Sequence, residues 1–202
     1  MRHDSLLRLR RELTLRTPFV GTVASDCPRA SVALIVRPGD PGLELLLIRR
    51  AERAGDPWSG HMALPGGRAE PGDRDAVHTA IRESREEVGV SLDRRSLIGR
   101  LDDVQPISGA PRIAVSAWVF ATGPGTATRT NHEVDLTLWV PVRDLLHPAA
   151  RREYLHALEE GEPLRFPAFG YDEYVIWGLT HRILTQFLDI ARVTVPGPGE
   201  PI

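Results

Sequence analysis

The sequence predicts an α/β fold in which a mixed β-sheet is clasped between α-helices. Three observations predict it. Short apolar runs bounded by Gly, Pro and Asp recur between residues 30 and 177, as strands do. Val77, Ile81, Ser84 and Val88 repeat at about one helical turn, which marks a helix in the middle of the chain. His181 to Ala191 carries a second helical pattern near the end, and no internal repeat is evident.

Taken in order, Leu6, Leu7, Leu9 and Leu13 give residues 1–16 a helical stripe, read as a helix packing on the domain or on a second subunit. Pro18, Gly21 and Pro28 leave 17–28 irregular. Ala30 to Val36 reads as a strand, 38–42 (Pro-Gly-Asp-Pro-Gly) as a turn, and Leu43 to Ile48 as the returning strand of a hairpin. Residues 51–60 form a loop, and His61 to Leu64 leads as a short strand into Gly66-Gly67. The central helix follows, with Asp73 as a plausible N-cap and Gly89 suited to a left-handed C′ position. Residues 97–104 and 112–121 read as strands, 123–130 as a loop, and 136–142 as a strand containing Trp139. Residues 152–158 are ambiguous between helix and strand, with a hairpin preferred because Glu-Glu-Gly-Glu-Pro follows. Tyr174 to Trp177 is a strand before the closing helix, and the Pro/Gly-rich tail should be disordered. The expected organisation is an N-terminal helix and linker over 1–27, one domain over 28–192, and a tail over 193–202.

Composition narrows the function classes. A formal charge of −2 gives no electrostatic case for nucleic acid or an anionic membrane as partner. No apolar run approaches the 18 or so residues of a membrane span. Cys27 is alone, so no intrachain disulfide can form, and a reducing cytoplasm is the natural home. All basic side chains other than His are Arg; genome composition explains that, yet Arg also favours bidentate contact with phosphate.

The chemistry concentrates in Arg82-Glu-Ser-Arg-Glu-Glu-Val-Gly-Val90. Glu83, Glu86 and Glu87 fall at i, i+3 and i+4, so a helix puts all three on one face. Two like charges about 4 Å apart repel by roughly 4 kcal/mol at an effective dielectric near 20. Arg82 and Arg85 can offset part of this, and an oxygen-seeking dication such as Mg²⁺ makes better use of three carboxylates. The bland alternative is a solvated helix surface with ion pairs worth about 0.2–0.5 kcal/mol each. Gly66-Gly67 before the helix and Gly89-Val90 after it argue against that reading.

This segment resembles the signature of the Nudix hydrolases, G-x5-E-x7-R-E-U-x-E-E-x-G-U, where U is aliphatic. Gly67, Arg82-Glu83, Glu86-Glu87 and Gly89-Val90 match it. Ser84 stands where an aliphatic residue is usual, and the stretch from Gly67 to Arg82 is one residue longer, so either Asp73 or Glu70 fills the upstream acidic position. The resemblance implies the Nudix fold, a mixed β-sheet sandwiched between α-helices (an α/β/α sandwich), and hydrolysis of the diphosphate in a nucleoside diphosphate derivative. It further implies Mg²⁺ or Mn²⁺ held by Glu83 and Glu87, with Glu86 a further ligand or base and the Gly67 carbonyl in the same shell. Arg82 would hold an acidic partner in the box. Glu133, in Asn131-His-Glu-Val-Asp135, is the candidate base outside it, with a surface carboxylate as the plain alternative. His61 and His132 are near in sequence, though a lone His is more often a structural hydrogen-bonder. A homodimer is the family's common arrangement.

Within the family the chain is similar to the coenzyme A diphosphatase branch. Gly60-His-Met-Ala-Leu-Pro-Gly-Gly67, the longer box loop and Tyr174-Val-Ile-Trp-Gly-Leu-Thr180 carry that likeness. The basic loop of that branch is altered here. Leu46-Leu-Ile-Arg-Arg50 begins as expected, but Asp56-Pro-Trp-Ser59 replaces the basic end. Arg49, Arg50 and Arg53 remain candidates for phosphate contact, and Trp58 is placed either to stack on substrate or to pack. The expected function is a metal-dependent diphosphatase for coenzyme A or a related compound. ADP-ribose, NADH or another nucleotide is the alternative substrate, and a silent ligand-sensing module the alternative class.

Overall fold

The structure, a computed structural model, describes residues 2–21, 27–40, 42–56, 58–106, 112–157 and 161–193. Helix α1 (Arg2–Leu15) precedes the hairpin β1 (Arg29–Gly39) and β2 (Gly42–Arg50). Two short strands, β3 (Met62–Ala63) and β4 (Gly66–Arg68), lead to helix α2 (Ala76–Val88). Then come β5 (Leu97–Arg100), β6 (Ala114–Ala121), β7 (Val134–Pro141) and a short helix α3 (Val142–Leu146). Strands β8 (Arg151–His156), β9 (Leu164–Tyr171) and β10 (Tyr174–Trp177) precede the closing helix α4 (Gly178–Ala191). The expected disordered tail lies, beyond Val193, outside the described residues, as do Pro41 of the turn and Leu158 of the ambiguous segment.

The main sheet is mixed. β1 runs parallel to β6 and antiparallel to β2 and β4, and β2 is antiparallel to β7 and β3. Its two faces explain why β1 and β2 read as nearly unbroken apolar runs, since both sides of each strand are buried. Ala33, Ile35, Leu46 and Ile48 face α2 with Val77, Ala80 and Val88. Leu34, Val36, Leu43, Leu45 and Leu47 face the opposite layer, where Leu9 and Leu13 of α1 meet Ile183, Leu184 and Phe187 of α4. The result is the expected α/β/α sandwich. The N-terminal helix packs on this domain: Leu9 is fully buried and Leu13 nearly so. Among the described residues no helix is long and apolar enough to cross a membrane.

Several local expectations are corrected. The N-cap of α2 is Asp75, whose carboxylate accepts from the His78 N–H; the helix starts later because Asp73 is engaged elsewhere. The strand expected over 97–104 ends at Arg100, and only Val104 bridges onward to Val115. Asp102 and Asp103 are drawn aside there, accepting from Arg16 and from the Phe19 and Gly21 N–H groups. The ambiguous 152–158 segment is a strand, paired with β9 from Arg151↔Phe169 to His156↔Leu164.

Candidate active site

Helix α2 places its acids at its own C-terminal end. Gly89 adopts φ 68°, the Gly89 N–H bonds the Arg85 carbonyl at 3.1 Å, and the Val90 N–H bonds the Ser84 carbonyl at 3.2 Å. This left-handed cap stops the helix just after Glu86 and Glu87, where the helix dipole disfavours negative charge. Loop 122–133 closes over the same end: the Arg129 N–H bonds the Val88 carbonyl at 2.9 Å and the Asn131 N–H bonds the Glu87 carbonyl at 3.1 Å. Glu133 is thereby held two residues from a peptide that touches Glu87.

The three box acids do not share one environment. Glu87 is only 3% exposed, and one carboxylate oxygen accepts the Gly66 N–H at 2.8 Å. Among the described residues no Arg or His side chain is hydrogen-bonded to it. Burial pushes its carboxyl up to about 8, against the opposing Gly66 N–H. Glu83 also faces the glycine turn, and burial pushes it upward despite Arg82 beside it. The Glu133 charge adds to the rise at both. Glu86 instead has a side chain 47% exposed and turned to Arg82, whose Nη1 donates to it at 3.0 Å. Glu83 and Glu87 thus face the glycine turn, while Glu86, expected as a further ligand or base, is turned to Arg82. Consistently, among the described residues no three His, Cys, Asp or Glu side chains stand ready to close on an ion.

Arg82 settles which upstream acid belongs to the box. Its Nε and Nη2 make a two-pronged contact to Asp73, at 3.1 and 3.0 Å, with the Asp73 side chain only 3% exposed. Glu70 stands off at 3.8 Å. Asp73 also accepts from the Thr79 hydroxyl at 2.9 Å and the Glu70 N–H at 3.0 Å, and pairs with the His78 ring. Hydrogen bonds from Arg82 hold the Asp73 carboxyl well below the usual carboxylate range, and those bonds in turn raise the Arg82 guanidinium. Arg82 reaches Glu83 at 3.0 Å and the Arg68 carbonyl at 3.1 Å, so it ties the loop, the glycine turn and the helix into one frame. Arg85 is exposed.

The glycine turn makes room for these acids. A Cβ built on Gly67 would lie 2.3 Å from a Glu83 carboxylate oxygen, so only a hydrogen lets Glu83 sit against that turn. Two carboxylates against the glycine turn, one of them buried, make a hard-oxygen donor set. That set fits Mg²⁺ or Mn²⁺.

The three arginines among the substrate-side candidates are held in ion pairs. Arg53 donates to Glu133 at 3.1 Å, Arg50 to Asp56 at 2.8 Å, and Arg49 to Asp135 at 2.8 Å and Glu52 at 3.3 Å. The Arg50 charge bears on Glu87 and on His61. Trp58 is half-buried, with its N–H bonded to Asp56 at 3.0 Å. His132 is exposed. His61 is half-buried and stands edge-on to Trp177, ring centroids 5.0 Å apart. It lines a cavity of about 390 Å³ with Arg49, Met62, Tyr154, Tyr174 and Trp177, in which Trp58 does not take part. Sequence reasoning missed Tyr154, His156, Phe166 and Trp177 as a group. The alternation at 154, 156 and 166, one face of a hairpin, was the available signal.

Known proteins bear on this arrangement. The NUDIX domain profile matches residues 28–160. The chain is 30% identical over 196 residues to human "Mitochondrial coenzyme A diphosphatase NUDT8", covering 94% of this chain and 80% of that protein. It is 30% identical over 170 residues to "Uncharacterized Nudix hydrolase NudL" of Photorhabdus laumondii, covering 84% of this chain and 88% of that one. Among solved structures, a MutT/nudix family protein from Enterococcus faecalis superposes with TM-score 0.55 at 14% identity, covering 94% of this chain and 68% of that one. A NUDIX hydrolase from Alicyclobacillus acidocaldarius gives 0.51 at 21%, covering 61% and 83%. These two speak for the fold alone. With the domain match and the length of the sequence likeness together, the chain belongs to the Nudix hydrolase family.

Proposed function

We propose that this chain cleaves the diphosphate link of coenzyme A or a coenzyme A-like compound in a Mg²⁺- or Mn²⁺-dependent reaction. The observation that carries the metal dependence is the buried Glu87 carboxylate beside Glu83, an arrangement that repels itself until a cation joins it. Glu83 and Glu87, with Glu86 once released from Arg82 and the Gly67 carbonyl, would hold the ion. Bound there, it would neutralise diphosphate charge and lower the pKa of a bound water.

The chain's own residues supply the rest. Glu133 takes the proton as the water oxygen bonds to phosphorus and the bridging P–O bond breaks; the electron pair leaves on the departing phosphate. Arg53, now on Glu133, and Arg50, now on Asp56, are in reach to bind phosphate oxygens when substrate displaces those carboxylates. Arg82 stays on Asp73 and positions the box.

Likeness to the human coenzyme A diphosphatase over nearly the whole chain supports the substrate. One observation favours a second reading. Asp56 sits where the branch's basic loop would be and neutralises Arg50, which suits a compound lacking an extra phosphate, such as ADP-ribose or NADH. A panel of coenzyme A, ADP-ribose and NADH with Mg²⁺ decides between them. Coenzyme A turnover abolished by chelator is expected. ADP-ribose cleavage with no coenzyme A turnover selects the second reading, and silence toward all diphosphates leaves a ligand-sensing module.

A further inference from the structure

The outer face of the three-stranded sheet carries more aromatic surface than its packing uses. Ile176 and Phe169 turn inward to the core. Tyr154, Phe166 and Trp177 stand on the other face, joined by His156, and each is only half-buried. Trp177 is the hub. It stacks on Tyr154 with centroids 4.0 Å apart and planes 19° apart, and Phe166 and His156 flank it at 5.5 and 5.6 Å. His61 meets Trp177 edge-on. Burial lowers the His61 ring's proton affinity.

The cavity beside these rings, about 390 Å³, falls within the range of small-ligand sites. Short stretches of chain tie it to the acidic centre. Met62 in its wall is four residues from Gly66, a span of at most about 14 Å even if fully extended. Arg49 lies at the cavity, and Arg50, next along the strand, bears on Glu87. The Arg50 charge thus acts both on His61 in the cavity wall and on Glu87 in the acidic centre.

We propose that this cavity seats the base of the nucleotide half of the substrate, an adenine lying against Trp177 and Tyr154. The assignment rests on the functional reading above. It fixes which end of the substrate lies on the three-stranded sheet: the adenylate side goes to the aromatic wall, and the other half of the diphosphate compound leaves the acidic centre on the opposite side. Stacking on an aromatic wall suits a flat ring and gives nothing comparable to an alkyl amide arm.

The test is AMP binding to the full chain, which needs no turnover. Titration calorimetry should show Trp177→Ala and Tyr154→Ala weakening AMP roughly five-fold to a hundred-fold each, the range for losing one stacked base. Trp177→Phe should recover most of the loss, which a merely misfolded sheet would not allow. Crystals of the unaltered protein soaked with AMP should place the base against Trp177. The inference is overturned if AMP fails to bind the unaltered protein, or if its base lies elsewhere. It is equally overturned if 4′-phosphopantetheine, not AMP, occupies the cavity. AMP bound at Trp177 in a protein that hydrolyses no diphosphate would end the functional reading and leave this one standing.

Discussion

One methyl group, added to either of two neighbouring glycines, should affect this protein in opposite ways. On Gly66 a Cβ would fall 2.4 Å from the Ser31 carbonyl oxygen and 2.6 Å from the Val32 Cα, and the residue has φ +156°. Those neighbours are β1 backbone, held by the Val32↔Gly66 pairing and by the Ala33 N–H bond to the Pro65 carbonyl at 2.8 Å. They can yield only if β4 parts from β1. Overpacking of about 1–3 kcal/mol and backbone strain of about 1–3 kcal/mol then add. At about 2–4 °C per kcal/mol for a chain of this size, Gly66→Ala should lower Tm by roughly 5–20 °C. On Gly67 the Cβ meets only the end of Glu83, 2.3 Å from one carboxylate oxygen and 2.6 Å from its carbon. That side chain can swing aside, so Gly67→Ala should lower Tm by no more than about 2–4 °C, equivalent to about 1 kcal/mol. The displaced carboxylate should weaken Mn²⁺ binding at least ten-fold and reduce kcat. Differential scanning calorimetry and Mn²⁺ titration by electron paramagnetic resonance read both quantities. Undiminished Mn²⁺ affinity and turnover in Gly67→Ala would refute the seating of Glu83 against the turn, and an unchanged Tm in Gly66→Ala would refute the close approach to β1.

Three further outcomes are expected. Glu87→Gln should lower turnover by roughly three orders of magnitude without lowering Tm in chelator, because burial disfavours the charge and glutamine keeps an oxygen for the Gly66 N–H; wild-type rates would remove the metal assignment. Asp73→Asn should cost about 3 kcal/mol by leaving Arg82 half-paired, visible in urea unfolding at pH 7. The depressed Asp73 carboxyl stabilises the fold in full above about pH 4 and loses that contribution as pH falls toward its folded value, so the gap between the two proteins should close in acid. A constant gap would point to another cause. Glu133→Gln should reduce kcat by about a hundred-fold or more with KM little altered, and stopped-flow showing a pure KM effect would assign Glu133 to binding instead.

Much of the centre was legible because it is local. Glu83, Glu86 and Glu87, the glycine turn and the Gly89 stop all fall within one strand-loop-helix, where periodicity of 3.6 and a glycine signal say most of what matters. Spacing could not choose between Asp73 and Glu70, since the choice depends on which carboxylate the Arg82 fork reaches across nine or twelve residues of loop and helix. Nor could it show that Glu86 is held by Arg82. The preferred hairpin implied a strand after the Glu-Glu-Gly-Glu-Pro turn, but Pro167 and Gly170 interrupt its pattern and left β9 without bounds. Pro167 is tolerated because β10 pairs only with 168–171, leaving its ring side without a neighbour. Helix α3, five residues long, shows too little periodicity to find. The aromatic wall draws on positions 61, 154, 166 and 177, brought together only by tertiary packing.

The clasp of loop 122–133 on the end of α2 has a practical use. Its stem is fixed by the Arg129 and Asn131 N–H groups, while Gly123, Pro124 and Gly125 project into solvent. Extra residues or a reporter domain inserted at 123–125 would hang from an anchored base. The spacing between Glu133 and Glu87 would then survive the graft, which marks this tip as the place to attach a label without disturbing the chemistry.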